Sequence, residues 1–291
     1  MLAVALSLAA AAAFALSTML VASVTGRVGP LQLVRWQMGM AFLLTAAMTL
    51  ALGGWRSIDA GMALWLVASS AAGIMFASLT YVATIQFTGP RISALLFTTA
   101  APFAVGLGYL FRGETVGLWQ TLGVALIVTG IVLAVLGPQT HDAARSARTL
   151  WRGVALGLVT ALGQATGSLL ARPAMLAGAD PVAAMAIRSG AGAAFFILLL
   201  AVPALRPAHR PEPAALRRIG WSAVSGMVIG MSFLMAALAR GDVGIVTTLS
   251  STMPILILPM VWAVHGRRPA VMAWVGAALA VAGTALISLA A

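Results

Sequence analysis

Apolar residues in this chain run in ten blocks bounded by charge, glycine or proline: 2–24, 31–52, 62–84, 92–111, 117–137, 153–171, 182–203, 219–239, 243–264 and 271–290. A helix of about 20 apolar residues crosses the ~30 Å hydrocarbon core of a bilayer. The pattern therefore predicts an all-α polytopic membrane protein with ten transmembrane helices. Two blocks hold a single charge, Arg35 and Arg188. Connections are short except for residues 138–152, expected to link two halves, and 204–218, expected to be a surface loop. Residues 1–26 carry no charge and so lack the basic start of a signal peptide; the first block is expected to persist as a helix, with native residues missing ahead of it.

The halves repeat one another. Arg35 recurs as Arg188, and Gly123 and Gly130 recur as Gly276 and Gly283, at an offset of 153; Gly89 and Pro102 recur as Gly241 and Pro254 at 152. A unit of five spans returns the chain to the opposite face, so the second copy is inverted. Inverted repeats characterise transporters, with substrate held near the midplane between the halves. The predicted organisation is a first repeat over 1–138, a linker at 139–151 and a second repeat over 152–291.

Composition reinforces the membrane reading. Hydrophobic residues make up 62% and charged residues 8% of the chain, against about 25% charged in soluble domains. That excludes an ordinary water-soluble enzyme. The absence of cysteine excludes disulfides and thiolate chemistry. Net charge is +11, carried entirely by arginine, but the arginines punctuate apolar blocks as membrane flanks do, and no nucleic-acid partner is expected.

All six acids (Asp59, Glu114, Asp142, Asp180, Glu212, Asp242) and all three histidines fall in or beside connections. Proton relays and intramembrane catalysis use such groups at depth, so no cofactor, metal site or catalytic centre is expected. An intramembrane enzyme needs a deep nucleophile or acid, and none is present. A channel would show flux without saturation, and a scaffold no flux.

Candidate substrate contacts are the polar and aromatic residues placed near the middle of the spans. Pro102 and Pro254 lie deep in the fourth and ninth blocks, where each removes a helix N–H and leaves a carbonyl free four residues earlier. Hydroxyls cluster there: Thr98, Thr99, Ser250, Ser251 and Thr252. They either line a cavity between two kinked segments or satisfy their own helices. Gln164 either holds a polar group of the substrate or joins two helices. Tyr81 and Phe233 match across the repeats and either stack on substrate or pack the core; Ser17, Ser78, Thr166 and Ser232 complete the set. Arg35 and Arg188 either snorkel to the interface or attract an anion at the cavity mouth.

The stretch TGPRISALLFTTAAPF (88–103), followed by RGET (112–115), Gln120, Gly123 and Gly130, resembles the ten-helix EamA-type branch of the drug/metabolite transporter superfamily. The second half repeats the pattern, and Arg35 and Arg188 match the family's arginine in the second helix of each repeat. Glu114 matches a loop glutamate of the family, whereas Gly266-Arg267 stands at its counterpart. The resemblance implies a multi-pass protein of the bacterial inner membrane that moves a small-molecule metabolite; the inverted halves predict alternating access in a monomer, and the lack of a deep acid predicts a uniporter or exchanger. Within the superfamily the nearest likeness is to exporters of aromatic amino acids. One conflict stands. Odd-numbered connections carry eleven arginines and even-numbered ones four, which under the positive-inside rule places both termini outside, whereas the resemblance implies cytoplasmic termini. Cysteine accessibility scanning on this cysteine-free chain decides between them.

Overall fold

The computed structural model describes residues 2–112, 117–136, 147–207, 209–238, 249–250, 252–266 and 268–289, and among them there is no strand. The helices are α1 (Leu2–Ala22), α2 (Pro30–Leu52), α3 (Ala60–Ser70), α4 (Ala77–Phe97), α5 (Ala100–Arg112), α6 (Leu118–Leu136), α7 (Ala147–Leu176), α8 (Pro181–Leu198), α9 (Pro213–Ser222), α10 (Met231–Leu238), α11 (Met253–His265) and α12 (Val271–Leu289). Short π-helical turns, Ala71–Phe76 and Ala223–Gly230, join α3 to α4 and α9 to α10.

Local chemistry sets the boundaries. Gly29 and Pro30 start α2, where the missing proline N–H has no intrahelical acceptor to lose. Gly53 ends α2 in the left-handed region at φ 73°. Asp59 accepts the Met62 N–H at 2.7 Å and caps α3. Asp180 accepts from Val182 and Ala183 at 3.0 and 2.8 Å and caps α8. Glu212 occupies the residue before α9. The three described acids therefore all stand at helix starts, Asp59 and Asp180 as side-chain caps and Glu212 without a capping bond.

The sharpest reversal is at Gly89–Pro90. Gly89 has φ 80° and ψ 169°, a conformation reserved for glycine, and Pro90 begins the returning helix. Sixteen residues of straight helix would hold Tyr81 and Phe97 about 24 Å apart; their ring centroids are 5.7 Å apart. The third span thus ends at Gly89, and the fourth begins at Pro90 rather than at residue 92. With this turn counted, the described residues make ten apolar helical segments, matching the ten expected spans.

Two further sequence expectations need correction. The sixth span was expected over 153–171, but α7 covers Ala147–Leu176, so Arg148 and Arg152 stand on its first turns. The surface loop expected over 204–218 ends at Glu212, because Pro213 opens α9. In both places an apolar helix continues past the hydrocarbon layer into polar residues, which composition alone reads as loop.

The two halves interlock reciprocally. α1 packs on α9, its π-turn and α10; α7 packs on α3, its π-turn and α4. The last helices, α6 and α12, meet along a seam of small residues. Gly123 faces the Gly283 carbonyl and Ile287, while Gly130 faces the Gly276 carbonyl and Ala280. Because 123 and 130 map onto 276 and 283, the seam is self-complementary, as at a two-fold axis. The fold is two inverted five-helix repeats.

The outer surface is apolar. All eight tryptophans are at least 37% exposed, alongside Leu43, Leu110, Leu118 and Leu198. A chain folded for water would bury them; one folded for lipid places tryptophan outward, toward the bilayer and its interfaces.

Candidate functional site

The region between the repeats centres on Tyr81. Its hydroxyl lies 2.7 Å from the Thr18 hydroxyl. Thr18 donates its one proton to the Phe14 carbonyl at 2.9 Å, so Tyr81 is the donor in the pair. The Tyr81 ring tilts against Phe97 and packs beside Ala15, Met19 and Ala94 of the first repeat and Met253 and Ile257 of the second. Tyr81 therefore bridges the halves through α1, α4 and α11. Thr18 and Phe97 were not singled out from sequence: α1 is apolar on every side, which hides the orientation of Thr18.

The prolines sit differently from the expectation, while the hydroxyls beside them bond their own helices, one of the two arrangements the sequence leaves open. Pro102 is the third residue of α5 and Pro254 the second of α11. Each proline stands in the first turn of a helix, where its missing N–H leaves no gap. The helix break lies just before Pro102, at Thr98 and Thr99, and the Thr98 carbonyl accepts the Ala101 N–H at 3.2 Å rather than standing free. The Thr98 and Thr99 hydroxyls donate to the Leu95 and Leu96 carbonyls, each at 2.6 Å. Thr252 donates to Leu249 at 2.7 Å in the same way. These hydroxyl protons clamp the ends of broken helices, and only their oxygen lone pairs face elsewhere. Ser250 is partly buried, and Ser251 lies outside the described residues.

Ser17 donates to the Ser222 carbonyl at 2.9 Å and sits against Gly226, so it joins α1 to the second π-turn. Ser78 is buried near the start of α4, and Phe233 is half-buried on α10. Thr166 bonds its own helix at Leu162. Gln164 is half-buried on α7 beside Gly163, which packs on Ala72 and Ala77. The structure brings Tyr81 together with Thr18 and Phe97, and Gln164 lies on α7, which packs on α4.

Of the two readings left open for the arginines, snorkelling fails for Arg188. Arg188 does not snorkel; it is 2% exposed. Arg35 is partly exposed, donating from Nε to the Phe196 carbonyl at 2.9 Å. Arg188 lies in the middle of α8, where α2, α3 and the first π-turn pack around it and leave no route to the interface. The two π-turns also escaped notice. They occupy matching places in the repeats, with Gly73 and Gly226 at the 153 offset. A π-turn shifts a hydrogen-bond register without changing composition, and such turns concentrate at functional sites. Gly73 packs directly on Gly167, so the first one forms part of the contact between halves.

The EamA-like transporter family model matches residues 1–136 and again 151–289. A solved crystal structure, described only as that of a protein, superposes with a TM-score of 0.71 over 99% of this chain and 97% of its own, at 19% identity. At that identity the likeness speaks for the fold alone. No curated protein matches the chain. Two family matches, one per half, coincide with the two interlocked repeats, and the chain belongs to the EamA-like transporter family, the membrane transporters of the drug/metabolite superfamily.

Proposed function

We propose that this protein exports aromatic and other neutral amino acids across the bacterial inner membrane by alternating access, as a monomeric uniporter or exchanger. The observation that carries the reading is the reciprocal packing of α1 on α9–α10 and of α7 on α3–α4. Two inverted, interlocked halves supply the paired arrangements that rocking about a midplane site requires. The halves are taken as 1–138 and 152–291, joined by 139–151, in keeping with the two family matches.

In this reading Tyr81, Phe233, Gln164, Ser17, Ser78, Thr98, Thr99, Ser250 and Ser251 surround the substrate, and Pro102 and Pro254 set the helix breaks beside it. The Tyr81–Phe97 pair offers aromatic faces to an aromatic side chain. The described acids stand at helix starts rather than at depth in the spans, which favours transport driven by the substrate gradient. The sequence likeness to the aromatic amino acid exporter YddG points the same way.

The test is counterflow in proteoliposomes preloaded with single amino acids, with labelled phenylalanine outside and no ion gradient. Saturable uptake confined to aromatic or neutral preloads is expected. Absence of uptake with every amino acid would reject this substrate class in favour of other metabolites or drugs. A strict requirement for a proton gradient would reject the uncoupled mechanism.

A further inference from the structure

We infer that Arg188 is the receptor for a carboxylate on the transported molecule, an assignment that rests on the transport reading above. Arg188 is almost fully buried, yet Nε and Nη2 have no hydrogen-bond partner. Its remaining nitrogen, Nη1, approaches only the Met185 sulfur, at 3.9 Å. A buried guanidinium is tolerated when it is paired and hydrogen-bonded. The described carboxylates do not pair it: Asp59 and Asp180 cap α3 and α8, and Glu212 precedes α9.

The unpartnered atoms call for a two-oxygen anion, and the single guanidinium charge balances a carboxylate, whereas a phosphate monoester carries nearly two negative charges. Nε and Nη2 share one edge of the planar guanidinium, and their N–H bonds run parallel. That edge is the two-pronged donor that grips both oxygens of a carboxylate. Nη2 points to the first π-turn: a methyl group on Gly73 would sit 3.2 Å from it and 3.1 Å from the Gly167 Cα. Glycine at both positions keeps backbone close to the fork without side-chain bulk. Ser70 anchors the arginine's own backbone by donating to the Arg188 carbonyl at 2.6 Å. The fork is thus held at the contact between halves, beside a segment whose helical ladder is already loosened.

The pseudo-symmetric partner is not equivalent. Arg35 already donates from Nε, so its fork edge is half occupied, and only Nη2 is unpartnered. The anion is therefore assigned to Arg188. The consequence for specificity is sharp: zwitterions and carboxylates are accepted, and cations without a carboxylate are rejected by the uncompensated charge.

The test uses the full-length protein in detergent, heated stepwise, with the surviving fraction measured by size-exclusion chromatography. The probes are phenylalanine, 3-phenylpropionate, phenethylamine and phenyl phosphate. The first two should raise the midpoint of the wild type, and the last two should not. Arg188→Gln should abolish the shift. Arg188→Lys, which keeps the charge and loses the fork, covers the case in which Gln does not fold and should weaken apparent affinity about tenfold. Equal shifts in wild type and Arg188→Lys would overturn the assignment, as would protection by phenethylamine or by phenyl phosphate alone. If no aromatic probe acts, acetate, lactate, succinate and glutamate replace them. Arg188-dependent protection by one of these would keep the carboxylate receptor and reject the aromatic substrate. Protection by none would overturn the receptor, whatever the counterflow experiment gives.

Discussion

The seam between α6 and α12 gives the most quantitative prediction. A Cβ on Gly123 would stand 2.6 Å from the Gly283 carbonyl oxygen, and a Cβ on Gly283 would stand 2.5 Å from the Gly123 oxygen. Ordinary contact begins at 3.4 Å, so the shortfalls are 3.4 − 2.6 = 0.8 Å and 3.4 − 2.5 = 0.9 Å. The nearest atom met is a backbone oxygen in each case, with an isoleucine Cγ1 (Ile287 or Ile127) next at 2.7 Å; a rotamer change moves only the isoleucine, so the helices must separate. A gap of 0.5–1 Å forfeits about a quarter to a half of each dispersion contact along the seam, and overpacking of this kind costs about 1–3 kcal/mol. Gly123→Ala and Gly283→Ala should each lower the thermal midpoint by roughly 2–12 °C, at about 2–4 °C per kcal/mol. The double variant should cost clearly less than the sum, because one separation accommodates both methyl groups. Gly106→Ala, whose Cβ would meet nothing within 4 Å, is the control and should be neutral or stabilising. Helix circular dichroism on heating in detergent reads all four. Neutral single variants, or strict additivity in the double, would refute the self-complementary seam.

Three further outcomes are expected. Gly89→Ala places a Cβ at φ 80° and ψ 169° and should destabilise by about 1–3 kcal/mol in the same melts; an unchanged midpoint would mean that the turn is not held in this conformation. Asp180→Ala removes the acceptor for two N–H groups at the start of α8 and should cost about 1 kcal/mol, which Asp180→Asn should largely restore. Tyr81→Phe and Gln164→Leu should keep folded yield while reducing counterflow; unchanged transport kinetics would remove the residue concerned from the site.

Much of the architecture was legible in the sequence because lipid imposes a simple rule: about 20 apolar residues per crossing, with arginine, glycine and proline between. The inverted duplication was legible too, since Arg35, Gly123 and Gly130 return in order at one spacing. What escaped was orientation. The sequence leaves Thr98 and Thr99 either lining a cavity or bonding their own helices, and their side chains turn back onto Leu95 and Leu96. The sequence leaves Arg188 either snorkelling to the interface or facing an anion, and only the packing of the other repeat, which buries it to 2% exposure, decides against snorkelling. The π-turns leave no mark on hydropathy, and of all their residues only the recurrence of Gly73 as Gly226 hints at them.

The outward tryptophans have an optical consequence. With all eight indoles at least 37% exposed and none in the interior, intrinsic emission from this protein reports its solvent rather than its core. In a bilayer the chain carries its own depth gauge. Bromine placed at successive carbons of the acyl chains would quench Trp36, Trp65 or Trp221 according to their level, one single-tryptophan variant at a time. The tilt of each helix pair could then be triangulated without an added label, and events at the buried centre would leave that signal almost untouched.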